Sequence, residues 1–175
     1  MSPITGTNMS ECVDFITHNI DDLHGEYICV SNAHTSVMAH DDPSYWSCQV
    51  ESVMSVPDGK PLSIVGRKTV KSMGRVTGPD LMREIFSISA QHGWSHYFYG
   101  NEQKNLEALK ESLQEEYPDL EIAGMELPSF ARSPIREKRD FHVALPILAP
   151  TLHGLHLALR ARKFSCMSLK AAPSH

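Results

Sequence analysis

Four short runs, residues 27–30, 53–56, 95–99 and 120–123, combine apolar or aromatic content with strand length, and each pair is separated by enough chain for one or two helices. This alternation is the strongest constraint on the fold. Parallel neighbours in a sheet need crossovers of helical length, and such crossovers are right-handed. The pattern therefore predicts an α/β fold, a Rossmann-like parallel sheet with helices on both faces. The helices carry their own signals. Ser10 can cap a helix on which Val13, Phe15, Ile16, Ile20 and Leu23 recur at roughly helical spacing. Pro79 and Asp80 suit the first turn of a helix that stops at His92-Gly93, and Leu106, Leu109 and Leu113, at spacing three and four, mark an amphipathic helix over 102–116.

Length and charge narrow the function classes. The 175 residues fit one domain, and a net charge of −5 does not suit phosphate neutralisation along a nucleic acid, so no nucleic-acid partner is expected. Cys12, Cys29, Cys48 and Cys166 form no CxxC pair, and no secretory leader or long apolar span is read, which places the chain in a reducing cytoplasm. Any membrane contact is then expected at the surface. The ten histidines invite a metal reading, but His34 and His40, or His153 and His156, lack a third ligand at zinc spacing, so no metal and no cofactor is expected.

Candidate chemistry gathers at the strand ends. The run at 53–56 enters Pro57-Asp58-Gly59, where Pro fixes φ and Gly permits a positive one, so the chain bends sharply with a carboxylate at the bend. Open α/β sheets keep their ligand crevice at the carboxyl ends of strands. By that rule Ser31 and Asn32, after the first run, and Gly100 and Asn101, after the third, face the same crevice. Arg75 precedes the turn Thr77-Gly78-Pro79-Asp80, and a guanidinium beside a helix start suits a phosphate-bearing substrate. Each residue has a plainer reading: Pro-Asp-Gly is a common turn, Arg75 a solvated cation, Thr77 and Asp80 a helix cap.

The motifs SNAHTSVMA, VPDGKPLSIVGR and RVTGPDLM, in that order, resemble the bacterial glycosyltransferases named for WecG, TagA and CpsF, over residues 9–130. The resemblance implies a metal-independent, inverting enzyme. It would move a sugar, expected to be N-acetylmannosamine, from a UDP-sugar donor to a polyprenyl-diphosphate-linked sugar acceptor in surface-polysaccharide or teichoic-acid synthesis. It implies Asp58 as the catalytic base, with Ser31, Asn32, Arg75, Thr77, Gly78, Asp80, Gly100 and Asn101 in substrate binding. Ser31 stands where the family more often has Thr. The implied location is cytoplasmic, peripheral at the inner face of the plasma membrane.

Residues 131–175 break the pattern, with eight Lys and Arg against two acids and no sustained period. The family's segment ending Ala-Pro-Arg-Gln-Glu is absent as written. Codons for residues 145–163 read from their third base permit it, which points to a frameshift between about Phe130 and His142. The expected organisation is a frayed lead at 1–8, a partial domain at 9–130 and a poorly ordered, out-of-frame tail at 131–175. The alternative function is a truncated, non-catalytic remnant that binds nucleotide-sugar weakly or not at all.

Overall fold

The computed structural model describes residues 3–23, 25–99, 103–126, 144–151 and 154–158. The predicted strands all form: β1 is Tyr27–Ser31, β2 Met54–Pro57, β3 Ser95–Tyr99 and β4 Glu121–Glu126. Two further strands, β5 (Ala144–Thr151) and β6 (Gly154–Ala158), join them in one six-stranded sheet of order β2-β1-β5-β6-β3-β4. β1 is parallel to β2, and β3 to both β4 and β6, whereas β5 runs antiparallel to β1 and β6. Five strands thus share a direction, and β5 alone opposes it.

This is the expected Rossmann-like α/β fold with one correction. Residues 144–151 and 154–158, expected to pack little against the sheet, form a hairpin between β1 and β3 and make the sheet mixed rather than all parallel. The inner edges of β1 and β3 carry unpaired backbone groups that a hairpin satisfies, and Leu-Pro-Ile-Leu-Ala and Gly-Leu-His-Leu-Ala are apolar enough to enter.

Helices cover both faces. On one, α1 (Met9–Asn19) and α5 (Gly78–His92) lay Cys12, Ile16, Leu81, Ile85 and Phe86 over Ile28, Met54 and Val56. α6 (Gln103–Glu116) extends this core with Leu106 and Leu113. The other face of β1 carries Tyr27 and Cys29, packed against Cys48 of α3 (Pro43–Glu51), and α3 packs on α2 (Ala33–Asp41). Strand residues therefore alternate between two covered faces, as β1 shows by burying both.

The helix boundaries follow local chemistry. Asn8, rather than Ser10, caps α1 by accepting from the Glu11 N–H at 3.1 Å. Asp42 caps α3 ahead of Pro43, and Gly93 ends α5 in the left-handed region at φ 67°. The lead, expected to fray, is instead tied down from Thr5. Thr5 N–H donates to Ser55 O at 2.8 Å, Ser55 N–H returns to Thr5 Oγ1 at 2.9 Å, and Gly74 N–H donates to Thr7 O at 3.0 Å. The outer edge of β2 is thereby capped by the lead.

Candidate functional site

The site is assembled at the carboxyl ends of β1 and β2 by backbone hydrogen bonds. Asp58 N–H donates to Ser31 O at 2.7 Å, which fastens the turn after β2 to the last residue of β1. Val76 N–H donates to Pro57 O at 2.9 Å and brings the segment before α5 alongside. A Cβ on Gly78 would lie 3.5 Å from Val30 Cγ2, so the first turn of α5 rests on the end of β1. Residues 31–32, 57–58 and 75–78, far apart in sequence, meet at one sheet end.

Asp58 is half-buried, and its carboxylate makes no hydrogen bond or ion pair among the described residues. Gly59, at φ 101° and ψ 148°, turns the chain straight from this carboxylate into α4 (Lys60–Gly66). Only glycine takes that conformation readily. The carboxylate is thus held at the strand end by a rigid turn and left open for another group.

Asn32 is the N-cap of α2. Its Oδ1 accepts from Thr35 N–H at 3.0 Å, while Asn32 N–H donates to Thr35 Oγ1 at 2.8 Å, a reciprocal capping box. The amide orientation is fixed, and its NH₂ has no partner among the described residues. Arg75 is exposed, one residue before the buried Val76, and has no partner among the described residues. An acid, an amide donor and a guanidinium thus lie on segments that meet at one sheet end, residue types suited to taking a proton and holding an anionic, hydroxyl-rich substrate.

Other expected residues are placed differently. The Ser31 hydroxyl is fully buried beneath the sheet end, accepting from Gln49 Nε2 at 2.8 Å and sharing a 2.7 Å hydrogen bond with Ser55 Oγ. The Ser31 side chain therefore faces the interior, and its carbonyl is the atom that meets the turn at Asp58. Thr77 Oγ1 donates to Asp80 Oδ2 and accepts from Asp80 N–H at 3.2 Å, and Asp80 lies 4.0 Å from Arg83. These two residues build the start of α5. Gly100 and Asn101 lie outside the described residues.

Sequence reasoning passed over Gln49 and Ser55, the buried polar pair that supports Ser31. One signal was available: Ser55 is a polar residue inside an apolar strand run. Among the described residues no three His, Cys, Asp or Glu side chains gather to hold a metal ion.

The sequence profile described as the glycosyl transferase WecG/TagA/CpsF family matches residues 1–144. The chain belongs to that family. The match takes in the lead and passes beyond the motif-bearing span 9–130. Two relatives of this WecG/TagA/CpsF-type chain are each named N-acetylglucosaminyldiphosphoundecaprenol N-acetyl-beta-D-mannosaminyltransferase. The one from Bacillus subtilis (strain 168) is 24% identical over 124 residues, which is 70% of this chain and 48% of that protein. The one from Bacillus spizizenii (strain ATCC 23059 / NRRL B-14472 / W23) is 24% identical over 155 residues, 86% of this chain and 58% of that protein. The chain spans about half the length of these relatives.

Proposed function

We propose that this WecG/TagA/CpsF-family chain carries the donor and base half of a glycosyltransferase site. It transfers a sugar, N-acetylmannosamine, from a UDP-sugar to a polyprenyl-diphosphate-linked acceptor in surface-polymer synthesis. The observation behind this reading is the open Asp58 carboxylate, on a residue whose backbone N–H is fastened to Ser31 O, at the sheet end where the segments of Asn32 and Arg75 also meet. Asp58 accepts the proton of the acceptor hydroxyl as that oxygen attacks the anomeric carbon and UDP departs with the glycosidic electron pair. Arg75 offsets the diphosphate charge, and the Asn32 amide donates to a sugar or ribose oxygen. The relatives' names support the donor sugar and the acceptor.

The reaction is proposed to run on the cytoplasmic side, with the protein peripheral to the membrane that holds the acceptor. Among the described residues no helix is long and apolar enough to cross a membrane. Turnover by the chain as written is proposed to be slow, because the stretch after Phe130 lacks the family's Gln-Glu segment in its reading frame, and misplaced substrates forfeit much of the barrier reduction. A non-catalytic remnant is the competing reading, favoured by that same missing segment.

The test is UDP release from UDP-N-acetylmannosamine with a lipid-diphosphate N-acetylglucosamine acceptor. The chain as written is expected to release little UDP. A frame-restored version is expected to release it readily, and to stop doing so when Asp58→Ala is added. Turnover that survives Asp58→Ala would reject the assignment of the base, and an inert frame-restored protein would leave the remnant reading standing.

A further inference from the structure

α4 and the loop after it form a surface unlike the rest of the molecule. Between Asp58 and Pro79 the chain carries Lys60, Arg67, Lys68, Lys71 and Arg75 with Asp58 as the one acid, in a protein of net charge −5. The inner side of α4 is closed: Ser63 is buried, and Gly66 presses so tightly on Met73 that a Cβ there would lie 1.9 Å from its Sδ. Arg67 is tied down as well, its Nε donating to Met73 O at 2.8 Å. The outer side shows the opposite character. Ile64 is 60% exposed and Val65 63% exposed, the highest values among the large apolar side chains of the described residues. Lys60 lies one helical turn from Ile64, on the same side of α4. Lys60, Lys68, Lys71 and Arg75 are all exposed and have no ion-pair partner among the described residues.

We infer that the outer face of α4 is the surface by which the protein docks on an anionic lipid bilayer. Ile64 and Val65 enter the headgroup boundary while the surrounding cations meet lipid phosphates. Apolar contact and basic charge together are what hold an interfacial helix on such a membrane. Charge complementarity favours this occupant, because the patch is cationic on an otherwise acidic protein and its charges are unpaired. Position adds a consequence that rests on the glycosyltransferase reading: α4 begins two residues after Asp58, so docking would bring the carboxylate to the level at which a lipid-linked diphosphate leaves the bilayer.

The inference is tested with the full chain and vesicles of phosphatidylcholine, with and without about one-third phosphatidylglycerol, by co-sedimentation at low and high salt and with no sugar nucleotide present. Binding to the anionic vesicles is expected, falling at high salt and on neutral lipid. Lys68→Glu with Lys71→Glu is expected to weaken partitioning at least about thirtyfold, from about 1 kcal/mol per cation. Ile64→Ser with Val65→Ser should also weaken it, whereas Leu109→Ser with Lys110→Glu on α6 should not. Ile64→Trp gives a second readout, a blue shift of its emission on anionic vesicles. Absence of vesicle binding, indifference to the α4 substitutions, or a change of oligomeric state in the Ile64 and Val65 variants would each overturn the inference. UDP release by the frame-restored protein, measured without vesicles, reports on the catalytic reading separately, so the two can fail independently.

Discussion

Asp58 and Ser31 are joined by a 2.7 Å backbone hydrogen bond from Asp58 N–H to Ser31 O, so the candidate base is positioned by the strand next to its own. The Ser31 hydroxyl points the other way, into a buried network with Gln49 and Ser55. One residue thus links the surface chemistry to the interior packing through two different atoms.

Asp58→Asn keeps the size of the side chain and the backbone bond to Ser31 O but removes proton-accepting power. In a frame-restored protein it should lower kcat by about 10²–10⁴-fold while leaving the thermal midpoint unchanged. Parallel measurements of UDP release and thermal unfolding check this. A variant with normal turnover would show that another group takes the proton.

Ser31→Ala should have the reverse signature. It removes the hydroxyl that accepts from Gln49 Nε2 and shares a hydrogen bond with Ser55 Oγ, a loss in a buried site that costs about 1–3 kcal/mol. Urea unfolding should show that loss. Ser31→Thr keeps the hydroxyl and should recover part of it, less whatever its extra methyl costs in a fully buried site.

Burial holds the His96 imidazole well below its ordinary range, from 6.5 to about 4. Ser89 Oγ donates to Ile85 O at 2.6 Å, so it accepts from His96 Nε2–H at 2.7 Å, leaving Nδ1 a buried acceptor with no partner among the described residues. The neutral form is the folded form. Unfolded chains bind the extra proton between pH 6.5 and 4, so stability is full above pH 6.5 and falls by about 3 kcal/mol as the pH drops to 4. Denaturant midpoints across that range should follow this slope, and His96→Gln should flatten it.

Gly59→Ala tests backbone conformation alone. An added Cβ would find ordinary room, with Pro61 Cδ at 3.7 Å, but φ 101° is unfavourable for any side chain. A loss of about 1–3 kcal/mol is expected in chemical denaturation, and UDP-sugar binding should weaken with it because the same turn sets Asp58. Gly93→Ala at the end of α5, at φ 67°, should cost stability without affecting binding.

Residues 27–31, 54–57, 95–99 and 121–126 became strands of common direction because their apolar runs, and the helix-length spacers between them, admit little else. The turn at Asp58 was equally legible, since Pro and Gly restrict the backbone by covalent structure alone. What lay beyond the sequence was the choice of partners across long separations. Whether the hydroxyl of Ser31 meets substrate or Gln49, whether Thr77 faces a ligand or Asp80, and whether Thr5 frays or closes the edge of β2 each depends on which polar group lies opposite once the chain is folded. The hairpin of β5 and β6 has the same origin, because an open strand edge selects its partner by unpaired backbone groups rather than by side-chain pattern. Local sequence sets periods and turns, whereas buried polar groups are satisfied only by neighbours that tertiary structure supplies.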